Sequence, residues 1–176
     1  QKTQSDKTVI QIGNSADPTN NHIEILKQLY PIKEANIEII CPLSYGNPEY
    51  AKKVQEIGKE MYDDKFQPLV DFLPFETYVN ILGMVDVAIF GHKRQQAIGN
   101  ITFLLGLGKK VYIRDDINTW DFLKEHGLKV YNTNNIDLEK LLEKIPDEIR
   151  QKNMVNVKRA FSAEKLKEDL NKIFQS

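Results

Sequence analysis

The chain has 176 residues, of which 41% are hydrophobic and 28% charged, and its net charge is −1. That length fits one folded domain with its own core, and the composition is far from that of disordered chains. The balanced charge, with no polybasic or acidic tail, argues against nucleic acid or an anionic membrane as the main partner, and a single cysteine, Cys41, excludes a disulfide framework and a cysteine-based zinc site.

Short β-branched runs alternate with amphipathic stretches along the chain. The runs predict six strands, at 8–13, 37–41, 66–70, 86–90, 110–113 and 129–131. The stretches predict a helix capped by Asn20 or Asn21, then helices 48–62, 75–84, 101–107 and 120–126, and only helices from 137 to 174. This order predicts an α/β fold: a doubly wound, Rossmann-like parallel sheet of about six strands with helices on both faces and further C-terminal helices.

The chain has no Gly/Ser linker and no internal repeat, so we predict a single domain over 1–176. It begins at Gln1 without an initiator Met, and a strand follows almost at once, so we expect it to be part of a longer protein. The longest apolar run, 101–107, is too short to span a bilayer. A cytoplasmic location is therefore expected.

Doubly wound sheets bind ligands beyond the carboxyl ends of their strands, so the strand-to-helix loops are the candidate sites. Loop one (13–22) holds Gly13, Asn14, Ser15 and His22 and leads into a helix N-terminus, which suits an anion. A turn whose polar side chains only satisfy the backbone is the alternative, and the pattern slightly favours it. On the same grounds His22 is more often a capping or solvated residue than a ligand.

Loops two and three offer aromatic side chains. Loop two (42–48) contains Tyr45, which a plain turn with a packed ring would also explain. Loop three (71–76) contains Phe72 and Leu73, which could form an apolar slot for a planar base or a small satellite core, with equal weight for both.

Loop four (91–100) is the least ordinary loop. The chain has only four arginines, and one of them, Arg94, stands in this loop, while Arg114 ends the fifth predicted strand. Arginine presents a rigid fork that suits phosphate or carboxylate. Gln95 and Gln96 follow Arg94, and Gly99 and Asn100 open a helix whose next residue is the apolar Ile101. Glycine there would let a phosphate approach the backbone, so a functional role is favoured over a purely structural one.

The loop motifs resemble a known family. GNSA (13–16), PTNNH (18–22), PLSYG (42–46) and RQQAIGN (94–100) are similar to the TDP-N-acetylfucosamine:lipid II N-acetylfucosaminyltransferases, also described as 4-alpha-L-fucosyltransferases. More broadly, 70–75, 85–89 and 107–113 resemble the donor-binding half of two-domain, B-type glycosyltransferases. The resemblance runs from about 9 to 120. Gln95-Gln96 stands where many B-type enzymes carry an acidic residue, and Phe103 where a ribose-binding Glu is common; both departures agree with the narrower family.

The resemblance implies transfer of a deoxy-amino sugar from a TDP-sugar to a lipid-linked acceptor in bacterial surface-polysaccharide synthesis. The base would lie by Phe72 and Leu73, and the pyrophosphate by Gly99, Asn100 and Ile101, with Arg94 and loop one nearby. The general base would come from an N-terminal domain, so this chain would bind the donor without catalysing transfer. A peripheral position at the inner face of the cytoplasmic membrane would suit the acceptor.

Two other functions stay open at this point. The chain could be a non-enzymatic module that binds a nucleotide or sugar phosphate, or a B-type transferase that uses a UDP-sugar. No metal-ligand spacing, nucleophile elbow or P-loop occurs, so we predict no metal site and no cofactor.

Overall fold

The computed structural model describes residues 6–94 and 96–161. Six parallel strands form one sheet in the order β3-β2-β1-β4-β5-β6. The strands are β1 (Thr8–Ile12), β2 (Ile37–Pro42), β3 (Phe66–Leu69), β4 (Val87–Ile89), β5 (Lys110–Ile113) and β6 (Tyr131–Asn132). The predicted doubly wound α/β fold is thus confirmed. Pro68 lies in β3, an edge strand, where its missing N–H leaves no neighbour unpaired.

The strand order reverses beside β1. Its Ile10 pairs with Ile39 of β2 on one side and with Val87 of β4 on the other. Since β1 and β4 are separated in the chain but adjacent in the sheet, the loops that follow them leave in opposite directions and open a crevice. Loops one and four, which carry most of the predicted site residues, are those two loops.

Helices cover both faces of the sheet. They are α1 (His22–Leu29), α2 (Pro48–Tyr62), α3 (Phe75–Met84), α4 (Ile98–Gly106), α5 (Asn118–Glu125), α6 (Leu138–Leu142) and α7 (Asp147–Ala160). Alternate strand residues point to opposite faces, so Ile10 packs in one cluster with Leu26 of α1, and Val9 in the other with Leu104 of α4. Apolar residues on both faces of the strands are what a buried parallel sheet requires.

Several boundaries differ from prediction. Helix α4 begins at Ile98 rather than at residue 101, because Ala97 adopts a left-handed φ of 56° and the helix starts directly after it. Gly99 and Asn100 therefore lie inside the first turn. Strand β6 begins two residues later than predicted and α5 two residues earlier, whereas α2, α3 and β5 have the predicted bounds. The part of the predicted C-terminal helices beyond Phe161 lies outside the described residues.

Helix α7 returns to the sheet and packs on α4. A Cβ on Gly106 of α4 would lie 3.1 Å from Val157 Cγ1 of α7, so the two helices are in close contact there. Within the described residues, none of the helices combines the length and apolar composition that a membrane span requires.

Candidate donor-binding site

A cavity of about 310 Å³ opens at the carboxyl edge of the sheet. Loop one contributes Asn14, loop two Ser44, loop three Phe72 and Leu73, and the first turn of α4 contributes Asn100. Four segments that are far apart in the chain therefore meet at one point. The structure brings four of the predicted site residues together, Asn14, Phe72, Leu73 and Asn100, and their role in binding a donor stays a prediction.

The cavity has an aromatic rim that is open to solvent. Phe72 is 90% exposed and Phe75 is 79% exposed. Behind them, the hydroxyl of Tyr78 in α3 lies 3.2 Å from Asn100 Oδ1, which fixes that amide at the cavity wall. Exposed rings beside a fixed amide can stack on and hydrogen-bond a planar heterocycle. Tyr45 is also exposed, at 80%, but it does not line the cavity.

The N-terminus of α4 has no side-chain cap. Its capping residue, Ala97, offers only a carbonyl, which accepts the Ile101 N–H at 2.9 Å. The N–H groups of Ile98, Gly99 and Asn100 precede the first intrahelical bond and have no helical acceptor. Among the described residues, no atom lies within 4 Å of the position of a Cβ on Gly99, so its backbone is open on this side. This end can therefore receive an anion, with Ile98 at the helix start where Ile101 was predicted.

Ile101 itself belongs to the core. Its side chain is buried with Leu104, and its N–H is bonded within the helix, so it has no group left for a ligand. The late predicted start of the helix caused this misplacement.

Loop one is a turn held by its own side chains. Asn20 is fully buried; its Oδ1 accepts the Asn14 N–H at 3.1 Å, and its Nδ2 donates to Asp17 O at 3.0 Å. Nδ2 also lies 3.4 Å from Ser15 Oγ. Gly13 has a left-handed φ of 66°, and a Cβ there would lie 2.6 Å from both Asn20 Oδ1 and His22 Nε2. A turn whose polar side chains only satisfy the backbone therefore explains the presence of Ser15 and Gly13 in this loop.

His22 is fully buried beneath this turn rather than solvated. Its Nδ1 lies 3.2 Å from the Tyr50 hydroxyl, and burial lowers its pKa from 6.5 to about 4, with a smaller effect from His92. His92, just after β4, is also buried, and burial lowers its pKa to about 4 as well. Neither Nε2 has a hydrogen-bond partner among the described residues. Both rings are therefore neutral at pH 7, and His22 supports loop one from below.

Loops one and four are joined by two contacts. Asn21 Nδ2 donates to Gly91 O at 2.7 Å, and Thr19 Oγ1 lies 3.0 Å from Gln96 Oε1. Gln96 is thus half-buried against loop one, whereas Arg94 is exposed. Gln95 lies outside the described residues.

Asp17 is the charged group at this junction. Its Oδ1 accepts the Thr19 N–H at 2.9 Å and the Thr19 hydroxyl at 2.6 Å. These two hydrogen bonds hold the pKa of Asp17 below its usual value; partial burial opposes them, and the charges of Arg94 and His92 add to them. The site residues predicted from the sequence did not include Asp17, Thr19, Asn20 or His92, although Asn20 was predicted as a helix cap. The Asp-Pro-Thr pattern of a capped turn was the available signal for the first two.

Arg114 does not join the site. Its guanidinium pairs with Asp116 through Nε at 2.9 Å and Nη2 at 2.6 Å. This local fork occupies the groups that a phosphate would need, so the interpretation of Arg114 as a ligand contact at the carboxyl edge is not supported by the geometry.

A larger cavity, of about 780 Å³, lies at the opposite edge. It is lined by residues that begin strands, such as Thr8, Val87 and Lys110, and by charged side chains of both signs from α6 and α7. Ligands of doubly wound sheets bind at the other edge, so the smaller cavity is the candidate site.

Metal ligands are not grouped in the described part of the chain. No cluster of three or more His, Cys, Asp or Glu side chains there could hold an ion. Cys41 is buried, and burial raises the pKa of its thiol, which makes it a small core residue rather than a nucleophile or ligand.

The sequence from 1 to 172 matches the profile of a family described as 4-alpha-L-fucosyltransferase, glycosyl transferase group 56. The chain belongs to this fucosyltransferase family. The resemblance stated from the loop motifs is thereby confirmed, and it extends further along the chain than those motifs did.

Solved structures similar to this fucosyltransferase-family chain include glycosyltransferases. A glycosyltransferase from Rickettsia africae superposes with a TM-score of 0.74 at 16% identity, over 97% of this chain and 48% of that protein. The C-terminal domain of a glycosyl transferase group 1 family protein from Francisella tularensis superposes with a TM-score of 0.61 at 11% identity. The match covers 89% of this chain and 87% of that domain. The catalytic domain of cholesterol-alpha-glucosyltransferase from Helicobacter pylori superposes with a TM-score of 0.61 at 17% identity. The match covers 85% of this chain and 96% of that domain.

At these identities the likeness shows the fold alone. The fucosyltransferase-family chain spans 48% of the Rickettsia protein but 87% of the isolated C-terminal domain from Francisella. The same fold thus occurs both within a longer protein and as a single C-terminal domain.

Proposed function

We propose that this chain is the donor-binding half of a glycosyltransferase. In this proposal the whole enzyme transfers a deoxy-amino sugar of the N-acetylfucosamine type from a TDP-sugar to a lipid-linked acceptor. The observation that carries the proposal is the meeting of three loops and the first turn of α4 at the carboxyl edge of the sheet. The N-terminus of that helix has no side-chain cap, and the chain belongs to the fucosyltransferase family.

The site offers a place for each part of a nucleoside diphosphate. The base would stack on Phe72 and fill the cavity against Leu73, with the Asn100 amide as its polar partner. The diphosphate would accept hydrogen bonds from the first N–H groups of α4, where the helix dipole favours negative charge. Arg94 would reach it from loop four. The arrangement supports binding of a nucleotide better than binding of a sugar phosphate alone, because an aromatic rim packs against a flat ring such as a base.

Catalysis on this side of the cleft is stabilisation of the leaving group. When the bond from the sugar to the diphosphate breaks, negative charge grows on a phosphate oxygen. Backbone N–H groups of α4 that already point at that oxygen, together with a guanidinium, lower the free energy of that state.

The acceptor side of the reaction needs a second partner. A base must take the proton of the acceptor hydroxyl, and His22 and His92 are both buried. We therefore propose that an N-terminal domain supplies that base and that this chain binds TDP-sugar without transferring it. A lipid-linked acceptor would bring the enzyme to the inner face of the cytoplasmic membrane.

Calorimetric titration of the chain with TDP tests the proposal. We expect TDP to bind, UDP to bind more weakly, and Arg94→Ala to weaken TDP binding roughly tenfold or more, since a hydrogen bond to a charged group contributes about 1.5–3 kcal/mol. Arg150→Ala is the control, because that side chain pairs with Asp147 on α7. Absence of TDP binding, or equal losses in both variants, would contradict the proposal. Stronger binding of UDP would reassign the donor.

A further inference from the structure

Loop four contains no acidic residue, although it runs from the contact with loop one at Gln96 to the cavity wall at Asn100. Its sequence, GHKRQQAIGN, carries two positive charges and no negative one. Loop one brings a single carboxylate to this place, that of Asp17, next to Gln96 through their shared neighbour Thr19.

The Asp17 carboxylate is held in one orientation, with one oxygen occupied. Oδ1 accepts both hydrogen bonds from Thr19, which makes Asp17 the N-terminal cap of the short 3-10 helix Pro18–Asn20. Oδ2 forms no hydrogen bond with any residue in 6–94 or 96–161. Asp17 is partly exposed, so this second oxygen is an ionised acceptor that has no protein donor among these residues.

The order of groups along the site indicates which part of the donor Asp17 would face. Asn100 lines the cavity, Ile98 and Gly99 form the free helix end, and Gln96 precedes them and contacts loop one. If the base fills the cavity and the diphosphate meets the helix end, the next group of the donor is the sugar. It would lie towards Gln96 and Asp17.

We propose that Asp17 is a specificity-determining residue that binds the transferred sugar. Its free Oδ2 accepts a hydrogen bond from a sugar hydroxyl or from an acylamino N–H, both of which are donors. A carboxylate repels phosphate but suits a polyhydroxylated ring, so it acts on the sugar end alone. This inference rests on the proposed function.

The competing explanation is that Asp17 orients Arg94, whose positive charge contributes to the lowered pKa of the Asp17 carboxyl. In that case Asp17 would act on the diphosphate through the guanidinium. The two explanations differ in which ligand loses affinity when the carboxylate is removed: TDP-sugar only, or TDP as well.

Titration of the chain with TDP and with TDP-N-acetylfucosamine separates them. Asp17→Asn keeps an oxygen that can cap Thr19 and removes the charge, and Asp17→Ser is a second capping variant. We expect both variants to bind TDP within twofold of the wild type and TDP-sugar roughly tenfold more weakly. Asp121→Asn, at an exposed position of α5, is the control and should change neither affinity.

Each outcome decides the question. If the wild type does not bind TDP, the proposed function fails. If TDP binds but Asp17→Asn weakens TDP and TDP-sugar equally, Asp17 acts through Arg94 and the present proposal is wrong. Unchanged affinity for both ligands would also overturn it. Circular dichroism melting of each variant checks that loop one still folds.

Discussion

Asn153 of α7 hydrogen-bonds both backbone groups of Lys129: its Oδ1 accepts the N–H at 2.8 Å and its Nδ2 donates to the carbonyl at 3.0 Å. The Asn153 side chain is fully buried, so it replaces a strand neighbour for the segment leading into β6. We expect Asn153→Leu to lower the free energy of unfolding by about 2–4 kcal/mol, because two backbone groups lose their partners. Urea unfolding measures this.

Asn156→Ala is the matched control on the same helix. Asn156 Nδ2 donates one hydrogen bond, of 2.9 Å, to Gly127 O at the exposed surface. Its loss should lower the free energy of unfolding by only about 1 kcal/mol. Similar losses in the two variants would show that burial of Asn153 is not what matters.

Gly58 of α2 is the point where that helix meets β3. A Cβ on Gly58 would lie 2.4 Å from Cζ of the buried Phe66 ring. Gly→Ala in a helix normally stabilises by up to about 1 kcal/mol, but here we expect Gly58→Ala to destabilise by about 1–3 kcal/mol through overlap with the ring. Gly83→Ala on α3, where no atom of residues 6–94 or 96–161 lies within 4 Å of the added Cβ, should be neutral or stabilising. Thermal unfolding of both variants tests the contrast.

His22 and His92 make the stability depend on pH. Because the pKa of each falls from 6.5 to about 4 on folding, the unfolded chain binds more protons between those values. The contribution of the two histidines to the free energy of unfolding is therefore full above pH 6.5 and is lost as the pH falls towards 4. From pH 7 to pH 5 we expect a loss of about 2 kcal/mol for each histidine.

Urea unfolding at pH 7 and pH 5 measures this loss. His92→Gln should remove about half of the pH dependence, because one of the two buried rings is then absent. A wild type whose stability is the same at both pH values would refute the buried, neutral state of the two rings.

Phe72 tests the place of the base. The ring is 90% exposed, so Phe72→Ala should leave the fold intact. Stacking of one base on an aromatic ring contributes about 1–3 kcal/mol to the binding free energy, so loss of the ring should weaken TDP binding roughly tenfold. Met84→Ala, an exposed apolar residue at the end of α3, is the control. If Arg94→Ala weakens TDP binding and Phe72→Ala does not, the base lies elsewhere.

Much of the fold could be predicted because it depends on local pattern. The runs at 37–41 and 110–113 are β-branched and bounded by turn residues, and Pro48 and Gly108 mark where helices begin and end. The start of α4 was missed because it depends on the backbone of Ala97, a residue that seldom adopts a left-handed φ.

The sequence by itself determined the alternation of strands and helices, the balanced charge and the loop motifs that indicate the family, because each of these depends on residues close in the chain. Only the tertiary structure decided that His22 is buried beneath Gly13, and that Thr19, which donates to Asp17, contacts Gln96. The second contact joins residues 19 and 96, which come together only because the sheet places β1 beside β4.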